Sequence, residues 1–475
     1  MDTRILTAWL LLVIGLLTSH SAAAQTTSLS FWQGGSNWQR GGSTLDLDFV
    51  HDRYWLNGTS YSGVQNFITG AGATFSRASV GAYFDATGTL QTAAANIPRL
   101  DYGATGGSYP QGILIEESRT NIVPNNQFSG VSAATYTTGN NVFGTGNTWG
   151  INANWGGIAS VSVVDTGTQS GINYVDINFV STSPSSGSFA NFTSINEAVS
   201  PGNIVILSAW MSITSYSSSG GTCSINLSNR SYTSSGGYLT EADQVFTSTT
   251  SWQRIVTPTI TEGSTAAYAA AELYFYAPTG ATCNITVRFG MPQLEVGAFP
   301  TSVIPTSGST VTRQADVFTV PVTAAGANGA WYTAGVGTLG ASWVNEDISS
   351  VISYKRVVSL IGTEPYGTGI YVRQNGQLVF GFFGSDSYSC IPNARQSTLS
   401  GLNKAVFAWG ATNCGQSANA SSVTDATTGT ASNSAMTSLG LMPANDYQTP
   451  YSGWLNRAWY IPDREPDAAL AAYTR

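Results

Sequence analysis

Charge is what this sequence has least of. Only 9% of its 475 residues are Asp, Glu, Lys or Arg, against roughly 25% in an ordinary soluble domain. Long surface helices, which carry Glu, Lys and Arg on their outer faces, are therefore not expected, and the polar surface must come from Ser, Thr, Asn and Gly. Basic residues are fewer than acidic ones, 18 against 26, for a formal net charge of −8. A nucleic-acid partner, which needs clustered Lys and Arg to release counterions, is excluded on that ground. Histidine is almost absent, with His20 and His51 alone, so no His-rich metal centre can be built and no metal is expected. The four cysteines, Cys223, Cys283, Cys390 and Cys414, contain no C-x-x-C pair, which removes zinc-finger and thioredoxin-like readings. Neither a Gly-rich phosphate loop nor a nucleophile elbow occurs, and no repeat of fixed period marks a propeller or solenoid. The one long apolar run, from Ile5 to Leu17, is shorter than the ~20 residues of a membrane span.

What remains is enough to build cores. Hydrophobic residues make up 42%, with 52 glycines and 13 tryptophans, the profile of an all-β surface protein in two or three domains. Arg4, the apolar run and Ala22-Ala23-Ala24 give residues 1–24 the form of a signal peptide; the alternative is a retained apolar helix acting as an anchor. Residues 25–44, rich in Ser, Gly and Gln with Phe31, Trp32 and Trp38, read as a flexible or attachment segment. An even cysteine count behind a signal suggests two disulfides, Cys223 with Cys283 and Cys390 with Cys414 by proximity; four buried thiols are the alternative. Cys223 and Cys283 each open a strand-like run on its apolar side.

Period-two alternation is cleanest in the middle of the chain. Val175, Ile177 and Phe179 share one face of their run, as do Val205, Leu207, Ala209, Met211 and Ile213, the pattern of half-buried strands. Several such strands between Gly- and Ser-rich turns predict an antiparallel sandwich of jelly-roll type. Further on, Asn375-Gly376 within residues 370–380 signals a two-residue hairpin. Residues 417–438 are low in complexity and predict a long surface loop. Residues 454–461 predict a strand, and 467–473 a short helix.

No catalytic centre emerges, and the chain is read as a non-enzyme without cofactor. His51 lies in Phe49-Val-His-Asp-Arg-Tyr-Trp55 with no nucleophile motif, and is taken as a packing or hydrogen-bonding residue. Glycoside hydrolysis requires only two carboxylates. Glu116 and Glu117 are adjacent and point to opposite faces of a strand; Asp46 and Asp48 can share a face; Glu241 and Asp243 are similarly spaced. Hydrogen-bonded structural roles are favoured for all of them. Aromatic residues among small polar ones are the better lead, because an aromatic ring stacks on the C–H face of a sugar while amides bind its hydroxyls. Trp149, Trp155, Tyr232, Tyr238, Tyr366 and Tyr388 are the candidate glycan-binding residues, each weighed against ordinary packing.

A series of short motifs in fixed order adds a resemblance. Leu45-Asp-Leu-Asp-Phe-Val50, Thr74-Phe-Ser-Arg-Ala-Ser79, Leu90-Gln-Thr-Ala-Ala-Ala-Asn96, Pro98-Arg-Leu-Asp-Tyr102 and Gly112-Ile-Leu-Ile-Glu-Glu-Ser-Arg-Thr-Asn121 follow one another. Gln293–Thr306, Thr312-Arg-Gln-Ala-Asp316 and Gly453–Pro462 come later. Together they resemble head-fibre or tail-fibre (spike) proteins of tailed bacteriophages, over nearly everything after residue 44. The resemblance implies a virion structural protein, commonly homotrimeric, whose partners are other virion proteins and a host cell-surface glycan or receptor. It implies tandem β-sandwiches: an N-terminal fibre domain at 45–121, a carbohydrate-binding-module-like jelly roll at 122–316 and a concanavalin-like, lectin-like sandwich at 317–475. The signal-like start and paired cysteines depart from a cytosolically assembled virion, and keep open a secreted bacterial glycan-binding protein; a polysaccharide depolymerase is a third reading.

Overall fold

Period-two alternation translates directly into sheets in the computed structural model. It describes residues 38–246, 250–323, 330–345, 355–362, 368–372, 377–383, 388–389, 396–397, 401–421, 424–427, 436–443 and 451–475. The chain is mostly β, and every strand pair among the described residues is antiparallel. Four large sheets enclose two hydrophobic cores.

The middle core lies where the alternation is cleanest. Strands Ile158–Gln169, Ile172–Ser181, Thr282–Val296 and Ile204–Ser219 lie side by side in a nine-stranded sheet. Val175, Ile177, Phe179, Val205, Leu207, Ala209, Met211 and Ile213 all turn inward, none more than 6% exposed. Facing them is a seven-stranded sheet whose successive neighbours include Trp149–Ala153, Ser188–Ser194, Ala266–Ala277, Ser224–Thr233 and Tyr238–Phe246. Its inward residues, among them Phe192, Leu227, Leu273 and Phe275, are fully buried. Each such side chain contributes roughly 1.5–3 kcal/mol. Cys223, just before Ser224–Thr233, is bonded to Cys283 in the facing sheet at a Cα separation of 6.4 Å, so the expected disulfide ties the two sheets together. Cys414 is also disulfide-bonded; Cys390 lies outside the described residues.

The second core is assembled from both ends of the described chain. Leu45–Asp48 pairs with Gly453–Ile461, placing Leu45 opposite Tyr460, and Gly112–Ile115 pairs with the same strand farther along. With Gly337–Asn345 and Leu402–Trp409 they belong to a ten-stranded sheet. Thr74–Ser76 pairs with Val317–Pro321 in the opposing eight-stranded sheet. The helix Val64–Ala71 sets Phe67 and Ala71 into the same core, and Gly72 ends it in the left-handed conformation that glycine adopts without strain. Residues 45–121, expected as a separate N-terminal unit, thus supply strands to the sandwich formed by 317–475. The strands that make this join are short and their partners in 317–475 are hundreds of residues away, so no local pattern marks the pairing.

The middle sandwich is consequently an insertion. The chain leaves through Arg119–Asn121 and returns through Val311–Arg313, and these two strands pair with each other. At the root of this stem five ionisable side chains meet, each at most 1% exposed. Arg77 Nη1 lies 2.9 Å and Arg99 Nη2 2.5 Å from the two oxygens of Asp316. Arg99 Nη1 and Arg313 Nε lie 2.8 and 3.4 Å from Glu116 Oε2. Ser302 donates to Glu116 from both its backbone N–H and its hydroxyl. Burial alone would raise the Glu116 carboxyl, but Arg313, Arg99 and the Ser302 hydrogen bonds outweigh it and hold the group at about 2. Beside this node the hairpin Gly81–Phe84 and Leu90–Ala93 packs on Trp210, Ile172 and Met291 of the nine-stranded sheet.

Other expectations meet the structure unevenly. The strand Gly453–Ile461 and the helix Asp467–Tyr473 form as predicted. The strands flanking Asn375-Gly376 pair antiparallel, Val372 opposite Leu378, while the turn itself is outside the described residues. The stretch 417–438 is not one long loop: Thr424–Thr427 pairs with Asn413–Gln416, because its threonines suit a strand as well as a loop. Residues 1–37, with the apolar segment, lie outside the described residues. No helix among those described is long and apolar enough to cross a membrane.

Candidate glycan-binding face

Alternation that buries Ile225 and Leu227 must turn their neighbours to the other side of the seven-stranded sheet. On Ser224–Thr233 the outward set is Asn226, Ser228, Arg230 and Tyr232; on Ala266–Ala277 it includes Glu272 and Tyr274; on Ser188–Ser194 it includes Phe189 and Asn191. Cross-strand register brings them together, with Asn226 and Asn191 flanking Tyr274 on either side and Ser228 opposite Glu272.

Glu272 is the hub of this face. It is 2% exposed and accepts from Asn191 Nδ2 at 2.7 Å and from the Tyr232 hydroxyl at 2.8 Å. Arg230 approaches it at 3.3 Å and Glu241 at 2.9 Å. The Arg230 guanidinium also lies over the Tyr274 ring, 4.7 Å from its centroid, a favourable cation–π geometry. Burial works to lower Arg230, but Glu272 and Glu241 outweigh it and raise it. Burial first, and then Glu272, push the Tyr232 hydroxyl up, so it stays a hydrogen-bond donor. Asp243 accepts from Asn226 and Ser228 at 3.0 and 2.5 Å. Phe189 stacks beside Tyr274 at 6.0 Å, and Tyr238, 56% exposed, meets Tyr232 edge-on at 6.4 Å. The result is a sheet face of aromatic rings interleaved with fixed donors and acceptors.

The predicted residues divide accordingly. Tyr232 and Tyr238 belong to this face. Trp155 lies on the loop after Trp149–Ala153, its indole N–H donating to the Gly139 carbonyl at 2.9 Å. Trp149 is corrected to a core residue. It is fully buried, stacked on Phe192 at 4.8 Å, and donates its indole N–H to the Asn125 carbonyl. Small polar neighbours in sequence do not reveal burial, because the strand's alternation turns the ring inward while they stay outside. Tyr366 lies outside the described residues, and Tyr388 is described only as backbone of the strand Tyr388–Ser389. Sequence reasoning missed Arg230, Glu272, Tyr274, Phe189 and Asn191; the signal available was the alternation of their strands, which turns them to the side opposite the buried Phe192, Ile225 and Leu273.

The carboxylates weighed for hydrolysis all have structural partners. Asp46 is bonded to the Arg457 guanidinium at 2.7 and 2.6 Å. Asp48 accepts from His51 Nδ1 at 2.8 Å and Arg53 at 2.9 Å. Burial would raise Asp48, but His51, Arg457 and Arg53 lower it. Glu116 and Glu117 belong to the ion pairs at the stem. No group of three or more His, Cys, Asp or Glu able to hold a metal occurs among the described residues.

No family model matches the chain, and no curated protein does. Among solved structures, the Trypanosoma rangeli sialidase in complex with sialic acid is similar over 83% of this chain and 76% of that one. It is 9% identical with a TM-score of 0.24, a likeness that carries no argument about this chain.

Proposed function

We propose that this chain is a fibre- or spike-type structural protein of a bacteriophage virion that adheres to a glycan or receptor on the host cell surface. The middle sandwich is a jelly roll that carries the binding face, and the sandwich built from both ends is its concanavalin-like support. The observation that carries the adhesive part is the outer face of the seven-stranded sheet. Tyr274, Tyr238 and Phe189 offer rings for the apolar faces of sugars, and the partly exposed Arg230 and Asp243 offer hydrogen bonds to hydroxyls, with Glu272 and Asn191 buried beneath as the supports that fix them. Sugar recognition needs that combination of flat apolar surface and fixed polar groups. The virion part rests on the ordered motifs and includes assembly as a homotrimer.

Binding of the full chain to immobilised bacterial surface polysaccharide tests the face. Tyr274→Ala should weaken it by about tenfold, the value of one lost stacking contact and its cation, with the thermal midpoint little changed. Undiminished binding would remove the face from the reading. Peptides of this chain in purified particles, and a trimer by native mass spectrometry, test the virion part; their absence would end it. A second reading, a secreted bacterial glycan-binding protein, is favoured by the Cys223–Cys283 disulfide, which suits an oxidising compartment. It predicts the same loss with Tyr274→Ala but a protein released by the bacterium itself.

A further inference from the structure

A second aromatic site lies away from that face, where the inserted sandwich meets the hairpin Gly81–Phe84 and Leu90–Ala93. Here the nine-stranded sheet turns Trp210 outward, between the inward Ala209 and Met211, at 6% exposure. Trp252 lies beside it with ring centroids 6.0 Å apart, and Phe84 of the hairpin meets Trp210 at 5.6 Å. Gly290 makes this possible. A Cβ there would come within 2.6 Å of the Trp252 ring, so the glycine lets the indole lie across the outside of the sheet.

These rings line an open cleft of about 470 Å³, with Gln169, Ser170, Thr105 and Arg254 on its walls. A smaller cavity of about 270 Å³ shares Phe84, Ala104, Trp210 and Arg254 with it. The walls are held in place without a ligand. Leu90 N–H donates to the Ser170 carbonyl at 2.9 Å, Gly107 N–H to the Ala86 carbonyl at 3.0 Å, and Arg99 Nη1 to the Ala82 carbonyl at 2.9 Å. Pre-formed clefts between packed units are common places for ligands. A buried indole N–H normally finds an acceptor, yet those of Trp210 and Trp252 find none among the described residues. No carboxylate lines the larger cleft among the described residues.

We propose that this cleft binds a neutral saccharide unit, its ring stacked on Trp252 and its hydroxyl oxygens accepting from Gln169 and Arg254. The two tryptophans supply the apolar platform, and the walls supply hydrogen bonds without a negative charge. A sugar brings many oxygen acceptors at low cost in desolvated charge, which an acidic or purely apolar ligand does not. The site is separate from the sheet face carrying Tyr274 and does not depend on it.

The test is NMR of the full chain with ¹⁵N-labelled tryptophan, titrated with the methyl glycosides of glucose, galactose and mannose at millimolar concentration. The indole signals of Trp210 and Trp252 are assigned by their loss in Trp210→Phe and Trp252→Phe. At least one of the three glycosides should shift the Trp210 signal saturably. Trp252→Phe should weaken that binding by about tenfold. Ala104→Trp, a change at the exposed rim that leaves both indoles in place, should block it. Arg230→Ala, on the other face, should leave it intact. A Trp210 signal unmoved by all three glycosides, or a shift that survives Ala104→Trp, overturns the proposal. So does a shift that Arg230→Ala abolishes, which would place the binding on the sheet face instead.

Discussion

Asp316→Asn strikes the buried ionic node at the root of the stem. The Asp316 carboxylate accepts from Arg77 Nη1, Arg99 Nη2 and the backbone N–H of Glu116, and is itself fully buried. Around it three guanidinium groups (Arg77, Arg99 and Arg313) face two carboxylates (Glu116 and Asp316), an excess of one positive charge. An amide at 316 raises that excess to two, and its NH₂ meets donors where the carboxylate met them with acceptors. Removing one partner of a buried ion pair costs about 3–5 kcal/mol, because the charges left behind cannot be hydrated. The Glu116 amide bonds directly to Asp316, so hydrogen exchange of the peptide spanning it reports the opening of this node. At ~1.4 kcal/mol per decade, exchange should accelerate by about 100- to 4,000-fold. Adding Arg77→Met restores the original charge excess and should recover part of the loss, a coupling of about 1–3 kcal/mol. Acceleration of less than about fivefold in Asp316→Asn would refute the reasoning, since it would mean that water already reaches these groups.

The remaining predictions concern the middle sandwich and pH. Replacing Cys223 and Cys283 together by Ala opens a loop with a sequence separation of 60; loop entropy puts the cost at about 4 kcal/mol, read as a lowered urea midpoint. Glu116 sits below its ordinary value, so its stabilisation is complete above about pH 4.5 and is lost as pH falls toward about 2. Acid unfolding should therefore begin with faster exchange at the stem, and Glu116→Gln should flatten that response. Glu197 runs the opposite way, since burial pushes it up to about 7. Its contribution is present below about pH 4 and lost as pH rises through about 7, so Glu197→Gln should stabilise by about 1 kcal/mol at about pH 9 and do little at about pH 4. Thermal denaturation at the two pH values checks it.

The middle sandwich was legible where its strands carry their own signature. Val175, Ile177 and Phe179, or Val205 through Ile213, alternate within a single run and need no partner to be recognised. The other sandwich was legible only in part. Leu45–Asp48 is four residues long, and its meaning lies in Tyr460 and Ala458 across the sheet. The arginines of the stem mislead in a different way. Arg77, Arg99 and Arg313 belong to residue types that are almost always exposed, yet they are among the most deeply buried side chains in the molecule. The motifs Thr74–Ser79, Pro98–Tyr102, Gly112–Asn121 and Thr312–Asp316 share no local property that explains them. What they share is this node, at which all four converge. Trp149 went wrong for the converse reason: a ring among Asn and Gly looks exposed, but strand phase and not neighbour polarity decides which side it takes.

The paired stem also sets how the molecule bears load. Along the chain, a tug on the middle sandwich reaches the rest of the protein through Arg119–Asn121 and Val311–Arg313 together, both pulled in the same direction, beside the packing of the hairpin Gly81–Phe84 and Leu90–Ala93. Their mutual hydrogen bonds are neither sheared nor unzipped, and the tension divides between two strands rather than running along one. It then arrives at the buried arginines and acids, where yielding requires charges to separate in a dry site. A tether of that design resists a brief pull far better than a single linker would, and gives way only when water enters at its root.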